Sequence, residues 1–211
     1  PDPTWKRLNL GENWATGDTY IAAVGQGFVL ATPIQVLNSI ATIANGGKLM
    51  ELSLIKEIAK SDGTVTNSFE PTIRWDITKD PVINVYDDNI PTGEKVTVQP
   101  WIIELAKEGM RMVVTEGTAA EQFEGDTTLS AGKTGTAEYC DNFAQEQNLC
   151  GIGVWPAHAW YVGYAPYDQP EIIVIVFVYN GTEGSTISAP VARKVLEAYF
   201  DLKSLDAANK P

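Results

Sequence analysis

Two apolar runs late in the chain, Ala157-His-Ala-Trp-Tyr-Val-Gly-Tyr164 and Ile172-Ile-Val-Ile-Val-Phe-Val-Tyr179, constrain the fold more than any other feature. Each has the length and the β-branched, aromatic content of a strand. The link between them, Ala165-Pro-Tyr-Asp-Gln-Pro170, is of hairpin length and predicts antiparallel neighbours. A third strand, residues 129–138, precedes them. Helices must cover this sheet, and three have sequence signals. Thr32, Pro33 and Gln35 supply an N-cap, a proline at the first helical position and a capping-box partner. The helix they open, residues 33–45, is apolar on most faces and is expected to be deeply buried, with Gly46-Gly47 ending it. Residues 100–116 read as a second helix, broken by Gly117-Thr-Ala-Ala120. Ser188 is placed to cap a closing helix with Ala192, Val195, Leu196, Tyr199 and Phe200 on one face.

The rest is weaker in pattern. Residues 1–20 read as polar and irregular, anchored by Trp5 and Trp14, and lead into an apolar run broken by Gly25-Gln-Gly27. Residues 48–58 read as a strand, with Ser61-Asp62-Gly63 as a hairpin turn into residues 64–69. Residues 70–98, with several prolines, Asp and Asn, give no assignment, and residues 204–211 read as a frayed tail. The whole is α+β, an antiparallel sheet flanked by helices.

The 211 residues suffice for one large domain or two small ones, and 44% hydrophobic content allows a real core. A net charge of −12 with no cluster among the 15 basic residues argues against nucleic-acid binding. No run of 18 apolar residues occurs, so no segment reads as membrane-spanning. The chain opens on Pro1-Asp2-Pro3 without Met or signal peptide, which suggests a piece of a longer protein. Cys140 and Cys150 match no common zinc spacing, and His158 is the only histidine, so no metal site is expected. A disulfide closing a short loop and two reduced thiols both remain open.

The chemistry concentrates in Lys133-Thr134-Gly135-Thr136. An ammonium, two hydroxyls and an unhindered backbone lie side by side on a strand. Such an array can hold a carboxylate and aim an N–H at a developing oxyanion. Gly132-Lys133-Thr134 also resembles the end of a phosphate-binding loop, but that motif requires glycine at position 127, where Thr127 stands, and a helix afterwards. Lys-Thr-Gly is instead one element of serine acyl-transfer enzymes, alongside a Ser-x-x-Lys nucleophile.

Other segments extend the comparison. Gly17-Asp-Thr-Tyr-Ile21, Gly25-Gln-Gly27, Ala31-Thr-Pro-Ile-Gln35, Asn45-Gly-Gly47, Gly117-Thr-Ala119, Gly132-Lys-Thr-Gly-Thr136, Ala157-His-Ala-Trp160, Asn180-Gly181 and Ala189-Pro-Val-Ala-Arg193 occur in this order. In these segments the chain resembles the transpeptidase domain of class B penicillin-binding proteins, nearest their elongation-type branch, from about residue 5 to 200. The resemblance implies the penicillin-binding transpeptidase and serine β-lactamase-like fold. It also implies a peptidoglycan D,D-transpeptidase that attacks D-Ala-D-Ala stem peptides through a serine acyl-enzyme and is blocked by β-lactams, without a cofactor. Lys133 and Thr136 would be catalytic, Lys133 by charge and Thr136 by an oxyanion N–H. Thr134, Gly135 and Thr136 would bind substrate. A cell-wall glycosyltransferase partner and an extracytoplasmic, membrane-anchored location follow from the same likeness.

The family's Ser-x-x-Lys and Ser-x-Asn motifs precede the Gly-Gln-Gly segment, yet the 24 residues before Gly25 contain no serine. Ser53-Leu-Ile-Lys56 has the right spacing, but it lies in a strand-like stretch where residues three apart face opposite ways. No Ser-x-Asn occurs. The expectation is therefore the C-terminal portion of a single transpeptidase domain. Within it, residues 1–47 carry the Gly-Gln-Gly segment and a helix, 48–98 an excursion, 99–203 the late strands and closing helix, and 204–211 a tail. The nucleophile belongs to an N-terminal part of the same protein, and the isolated chain is expected to be inactive. A serine β-lactamase and a non-catalytic β-lactam sensor or scaffold are the alternative readings. His158 reads as structural, Asp87-Asp88 as a solvated turn, and Glu138 as either a surface residue or a substrate contact. Glu183 departs from the family's Gly/His-rich loop, which puts a site role for residues 181–185 in doubt.

Overall fold

The computed structural model describes residues 1–88, 90–151 and 153–209. The start of the chain is helical, where irregular structure was expected. In α1 (Pro3–Leu10) the Asp2 side chain accepts from the Trp5 N–H at 2.7 Å, Pro3 sits in the first turn, and Gly11 closes the helix at φ 70°. In α2 (Thr16–Ala23) Asp18 reaches back to the Ala15 N–H at 2.7 Å. The same carboxylate accepts from the Lys6 ammonium at 2.8 Å, tying the two helices together over a lysine that is 6% exposed. These caps were legible as Asp-Pro and Gly11. The low apolar content of the segment hid them.

α3 (Pro33–Ala44) has the expected capping box, with Thr32 accepting from Gln35 N–H and Gln35 accepting from Thr32 N–H. Its deep burial is not observed. Thr42 and Ala44 are buried and Ile40 and Ile43 pack on the sheet, while Ile34 stays 48% exposed. The helix covers the sheet with one face.

The excursion that follows is three two-stranded pairs. The expected strand over 48–58 is two short strands, β1 (Lys48–Met50) and β2 (Glu57–Ala59), separated by a coil containing Ser53. β2 forms the expected hairpin with β3 (Val65–Ser68), where Gly63 at φ 83° makes the turn and Asp62 accepts from Thr64 N–H. β4 (Ile73–Asp76) returns to pair antiparallel with β1. β5 (Ile83–Asp87) pairs with β6 (Ile90–Val96), an antiparallel pair that the prolines and polar residues concealed. Asp87 ends β5 opposite Ile90, and Asp88 takes φ 44°.

α4 (Pro100–Thr115) leads through a 3₁₀ turn, Glu121–Phe123, to β7 (Ala131–Glu138). A short helix, α5 (Asn142–Glu146), separates β7 from β8 (Ala157–Ala165), and β9 (Ile172–Val178) completes an antiparallel sheet of order β7-β8-β9. A π-helical turn, Gly184–Ser188, enters α6 (Ala189–Ala208). Ser188 makes no cap; its hydroxyl is buried without a hydrogen-bond partner. Ala192 and Leu196 face the core as expected, but Val195 is exposed. The expected frayed tail is helical as far as Ala208, and its last two residues lie outside the described ones.

The sheet has a core on each face. Tyr161, Ala165 and Val174 pack with Val114, Phe123, Ala189, Ala192 and Leu196. On the other face Ala131 and Tyr164 pack with Ala44 and Met110. β8 is buried because it is both central and covered twice, whereas β7 keeps a free edge.

Candidate active site on the edge strand

Alternation along β7 sets the site. Thr134 pairs with Tyr161 and Thr136 with Ala159, so both threonines share the α6-facing side. Lys133 pairs with Val162 and Gly135 with Trp160, on the α3-facing side. Tyr139 N–H donates to Pro156 O at 3.0 Å, and Leu129 O accepts from Tyr167 N–H. These two bonds fix the phase. Odd-numbered residues turn their backbone groups toward β8, and Thr134 and Thr136 turn theirs toward the open edge.

The edge carbonyls have side-chain donors. Lys133 Nζ bends around to donate to Thr134 O at 2.7 Å, and Gln26 Nε2 donates to Thr136 O at 3.1 Å. Thr134 and Thr118 exchange a hydroxyl hydrogen bond of 2.8 Å. What remains along the edge is two outward N–H groups, two hydroxyls and an ammonium, an array that receives acceptors and anions. A groove of about 820 Å³ separates the Gly-Gln-Gly segment from β7, floored by Trp160, Val162 and Phe177. All four expected site residues, Lys133, Thr134, Gly135 and Thr136, line it.

Glycines allow the close packing around this strand. A Cβ on Gly132 would meet the Tyr161 ring and lie 2.9 Å from Val162 O, and one on Gly135 would lie 3.1 Å from Trp160 Cβ. A Cβ on Gly184 would collide with the backbone of Gly135 and Trp160. The 181–185 loop therefore rests directly on the Lys-Thr-Gly strand, although Glu183 itself is exposed.

The approach to β7 is held by Asp126. Burial alone would raise its carboxyl pKa, but bonds from the hydroxyls and N–H groups of Thr128 and Ser130 outweigh that and hold it below the usual range. Arg111 donates to Ser130 O. Beyond β7, Cys140 and Cys150 form a disulfide with Cα atoms 5.9 Å apart, closing the loop that contains α5. Asp141 caps α5 at Ala144 N–H and accepts from Tyr179 O–H at 2.9 Å. His158 stacks on Tyr139 at 3.8 Å and its Nδ1 accepts from Asn180 N–H. Burial lowers its pKa, with Asp141 opposing. Glu138 is the exposed last residue of β7.

Neither available Ser-x-x-Lys has nucleophile geometry. Ser53 Oγ donates to Ile55 O within its own coil. Ser130-Ala-Gly-Lys133 also has the spacing, a match that sequence reading missed. Ser130 is buried and bonded to Asp126, and three residues along a strand put Lys133 on the other side. Sequence reading also gave no role to Gln26 or Thr118, although Gln26 between two glycines and the Gly-Thr-Ala break after α4 were both signals.

A three-stranded antiparallel sheet covered by α3 and α6, with a Lys-Thr-Gly edge strand, defines a penicillin-binding transpeptidase fold. Residues 7–197 match the penicillin binding protein transpeptidase domain, and the chain belongs to that family. It is 34% identical, over its whole length, to the peptidoglycan D,D-transpeptidase MrdA of Haemophilus influenzae, of which it covers 30%. Among solved structures, it superposes with a TM-score of 0.66 at 35% identity on a chain of a peptidoglycan synthase complex described as coordinating polymerization and crosslinking, covering 94% of this chain and 28% of that one. The penicillin G acyl-enzyme complex of penicillin-binding protein A from Mycobacterium tuberculosis gives 0.59 at 26% identity, covering 85% and 34%. The chain thus spans about a third or less of the length of these relatives. The matches favour the transpeptidase reading over the β-lactamase and scaffold readings.

Proposed function

We propose that this chain is the C-terminal portion, residues 1–211, of the transpeptidase domain of a peptidoglycan D,D-transpeptidase, and that it supplies the Lys-Thr-Gly wall of the active site. The carrying observation is the open edge of β7, which turns the Thr136 N–H outward and has the Lys133 ammonium on the neighbouring Thr134 carbonyl. In the proposed reaction a serine Oγ, held by the part of the domain this chain lacks, attacks the D-Ala-D-Ala carbonyl. Thr136 N–H stabilises the oxyanion; losing one such donor typically costs about 2.7–4 kcal/mol of transition-state stabilisation. Thr134 and Thr136 hydroxyls bind the terminal carboxylate, Gly135 leaves room for the peptide, and the Lys133 charge supports proton delivery to the leaving nitrogen. The amide C–N bond breaks, D-Ala leaves as the amine, and the amino group of a neighbouring stem peptide takes the acyl group from serine. β-Lactams enter the same acyl step, as the penicillin G acyl-enzyme of the mycobacterial relative supports.

The partners of the complete protein would include a glycan-polymerising enzyme, a reading supported by the synthase complex among the structural relatives. Its place would be the outer face of the cell membrane, held by a segment outside this chain. Among the described residues no helix is long and apolar enough to cross a membrane. Intact-mass measurement after penicillin treatment tests the proposal. The isolated chain should gain no penicilloyl mass, and the complete domain should gain one. An adduct on the isolated chain, at Ser53 or Ser130, would overturn it.

A further inference from the structure

The ladder between β8 and β9 slips where β9 ends. Its last register pair is Ala159 with Val178, and the next bonded pair would set Ala157 opposite Asn180. Instead the Ala157 carbonyl accepts from Thr182 N–H at 3.0 Å. The Asn180 N–H turns to a side chain, donating to His158 Nδ1 at 3.2 Å. The β9 side thus carries two extra residues, as in an enlarged bulge. Asn180 at φ 50° and Thr182 at φ 67° are both left-handed, and a β-branched residue is disfavoured there. This slipped course brings the loop onto the Lys-Thr-Gly strand. A Cβ on Gly181 would lie 2.8 Å from Ala159 Cβ, and one on Gly184 would lie 2.9 Å from Gly135 N. Residues 181–184 therefore brace β7 at the position between its two threonines.

The Ala157 carbonyl has two claimants, Thr182 N–H in the observed course and Asn180 N–H in an unslipped ladder. His158 decides between them. Its Nδ1 accepts only while it carries no proton, so the observed bond belongs to the neutral imidazole with its proton on Nε2. Protonation sets one N–H against another, breaks the bond, and leaves Ala157 O as the ladder acceptor for Asn180. Taking it displaces Thr182 and draws the loop back from Gly135. Three rings pack on His158: Tyr139 of β7 at 3.8 Å, Phe177 of β9 at 5.1 Å and Tyr179 just past β9 at 4.8 Å. Asp141, from the disulfide loop, is the charged group that acts on it, and burial outweighs that carboxylate to favour the neutral ring. We infer that His158 is a positioning residue: its neutral Nδ1 holds the slipped course of residues 180–184 and keeps the Gly184 brace on the Lys-Thr-Gly strand. The effect on acylation rests on the proposed acyl-transfer reading; the hold on the loop does not.

The test uses the complete domain and fluorescent penicillin, with acylation rates measured between about pH 8 and pH 5, where histidine changes charge. His158→Asn keeps an acceptor oxygen near the place of Nδ1 but does not titrate. His158→Phe keeps a ring against Tyr139 but has no acceptor. Other groups of the site titrate alike in wild type and variant, so the ratio of the two rates isolates His158. The ratio of wild type to His158→Asn should fall about three- to tenfold as pH drops, the effect of one lost hydrogen bond. His158→Phe should stay at the low-pH wild-type level relative to His158→Asn at every pH. A ring that serves only for packing would give the opposite order, with Phe active and Asn impaired. Hydrogen exchange of residues 180–184 in wild type, corrected for its intrinsic pH dependence, should lose protection over the same range. That readout needs neither activity nor a folded variant. A flat ratio, fully active His158→Phe or constant protection would overturn the inference. Wild type that is never acylated would overturn the transpeptidase reading, and the exchange result would still decide the role of His158.

Discussion

Asp126 shows how much of the site depends on residues that never reach it. Its two carboxylate oxygens each take a hydroxyl and an N–H, from Thr128 and from Ser130, and so set the turn that delivers Ala131 into β7. Replacing it with Asn leaves part of this set unsatisfied and should cost about 1–3 kcal/mol, read by urea denaturation of the complete domain. The sign of the pH dependence follows from the depressed folded pKa. The carboxylate's contribution is fully present above the unfolded value of about 3.9 and is lost as pH falls through the lower folded value. The stability gap between wild type and Asp126→Asn should therefore be constant near neutrality and shrink below about pH 4. A gap that widens on acidification would contradict the assignment. At this scale sequence reading placed Lys133 and Thr136 on one strand, where they are found lining the groove. It failed at Gln26, whose partner lies 110 residues away.

Among elements, β7 is anchored at both ends, by the Asp126 turn before it and by the disulfide loop after it. Cys140 and Cys150 close a loop of sequence separation 10, and Asp141 inside it joins α5 to Tyr179 just past β9. Replacing both cysteines with Ser should lower the melting temperature, with a loss of no more than ~3 kcal/mol by loop entropy. Calorimetry of the reduced and oxidised protein checks the same quantity, and identical melts would mean that the loop is held by its aromatic contacts instead. The late strands, the Asp-Gly hairpin and the α3 capping box were legible because each is a local signal. α1 and α2 were not, because a short polar segment lacks the apolar period on which helix reading depends. β5 and β6 were missed because an exposed antiparallel pair has no buried face to impose alternation.

For the molecule as a whole, the exposed apolar surface is the main physical fact. Tyr20, Ile21, Val24, Leu30 and Ile34 are exposed, with Val24 and Leu30 lining the groove, and Leu54 and Ile90 are exposed on the excursion. Under the proposed reading of the chain as one portion of a transpeptidase domain, these apolar side chains are faces for the rest of that domain. The isolated chain should therefore enhance the fluorescence of an anilinonaphthalene sulfonate dye well beyond the complete domain at equal concentration. Equal emission would mean that these side chains are covered in the isolated chain as well.

From the amino acids alone come the α+β class, the three late strands and their antiparallel order, the capped helix at Pro33, and the placing of Lys133 to Thr136 on a strand. Each rests on residue type and near-neighbour spacing, which act through the chain's own backbone geometry. Only the tertiary structure decided which face of β7 each threonine occupies, that its edge is open, that Gly184 lies against Gly135, that Cys140 bonds Cys150, and that Gln26 holds the Thr136 carbonyl. Those features are contacts between segments far apart in sequence. Packing and loop closure select them, and no local pattern records the partner.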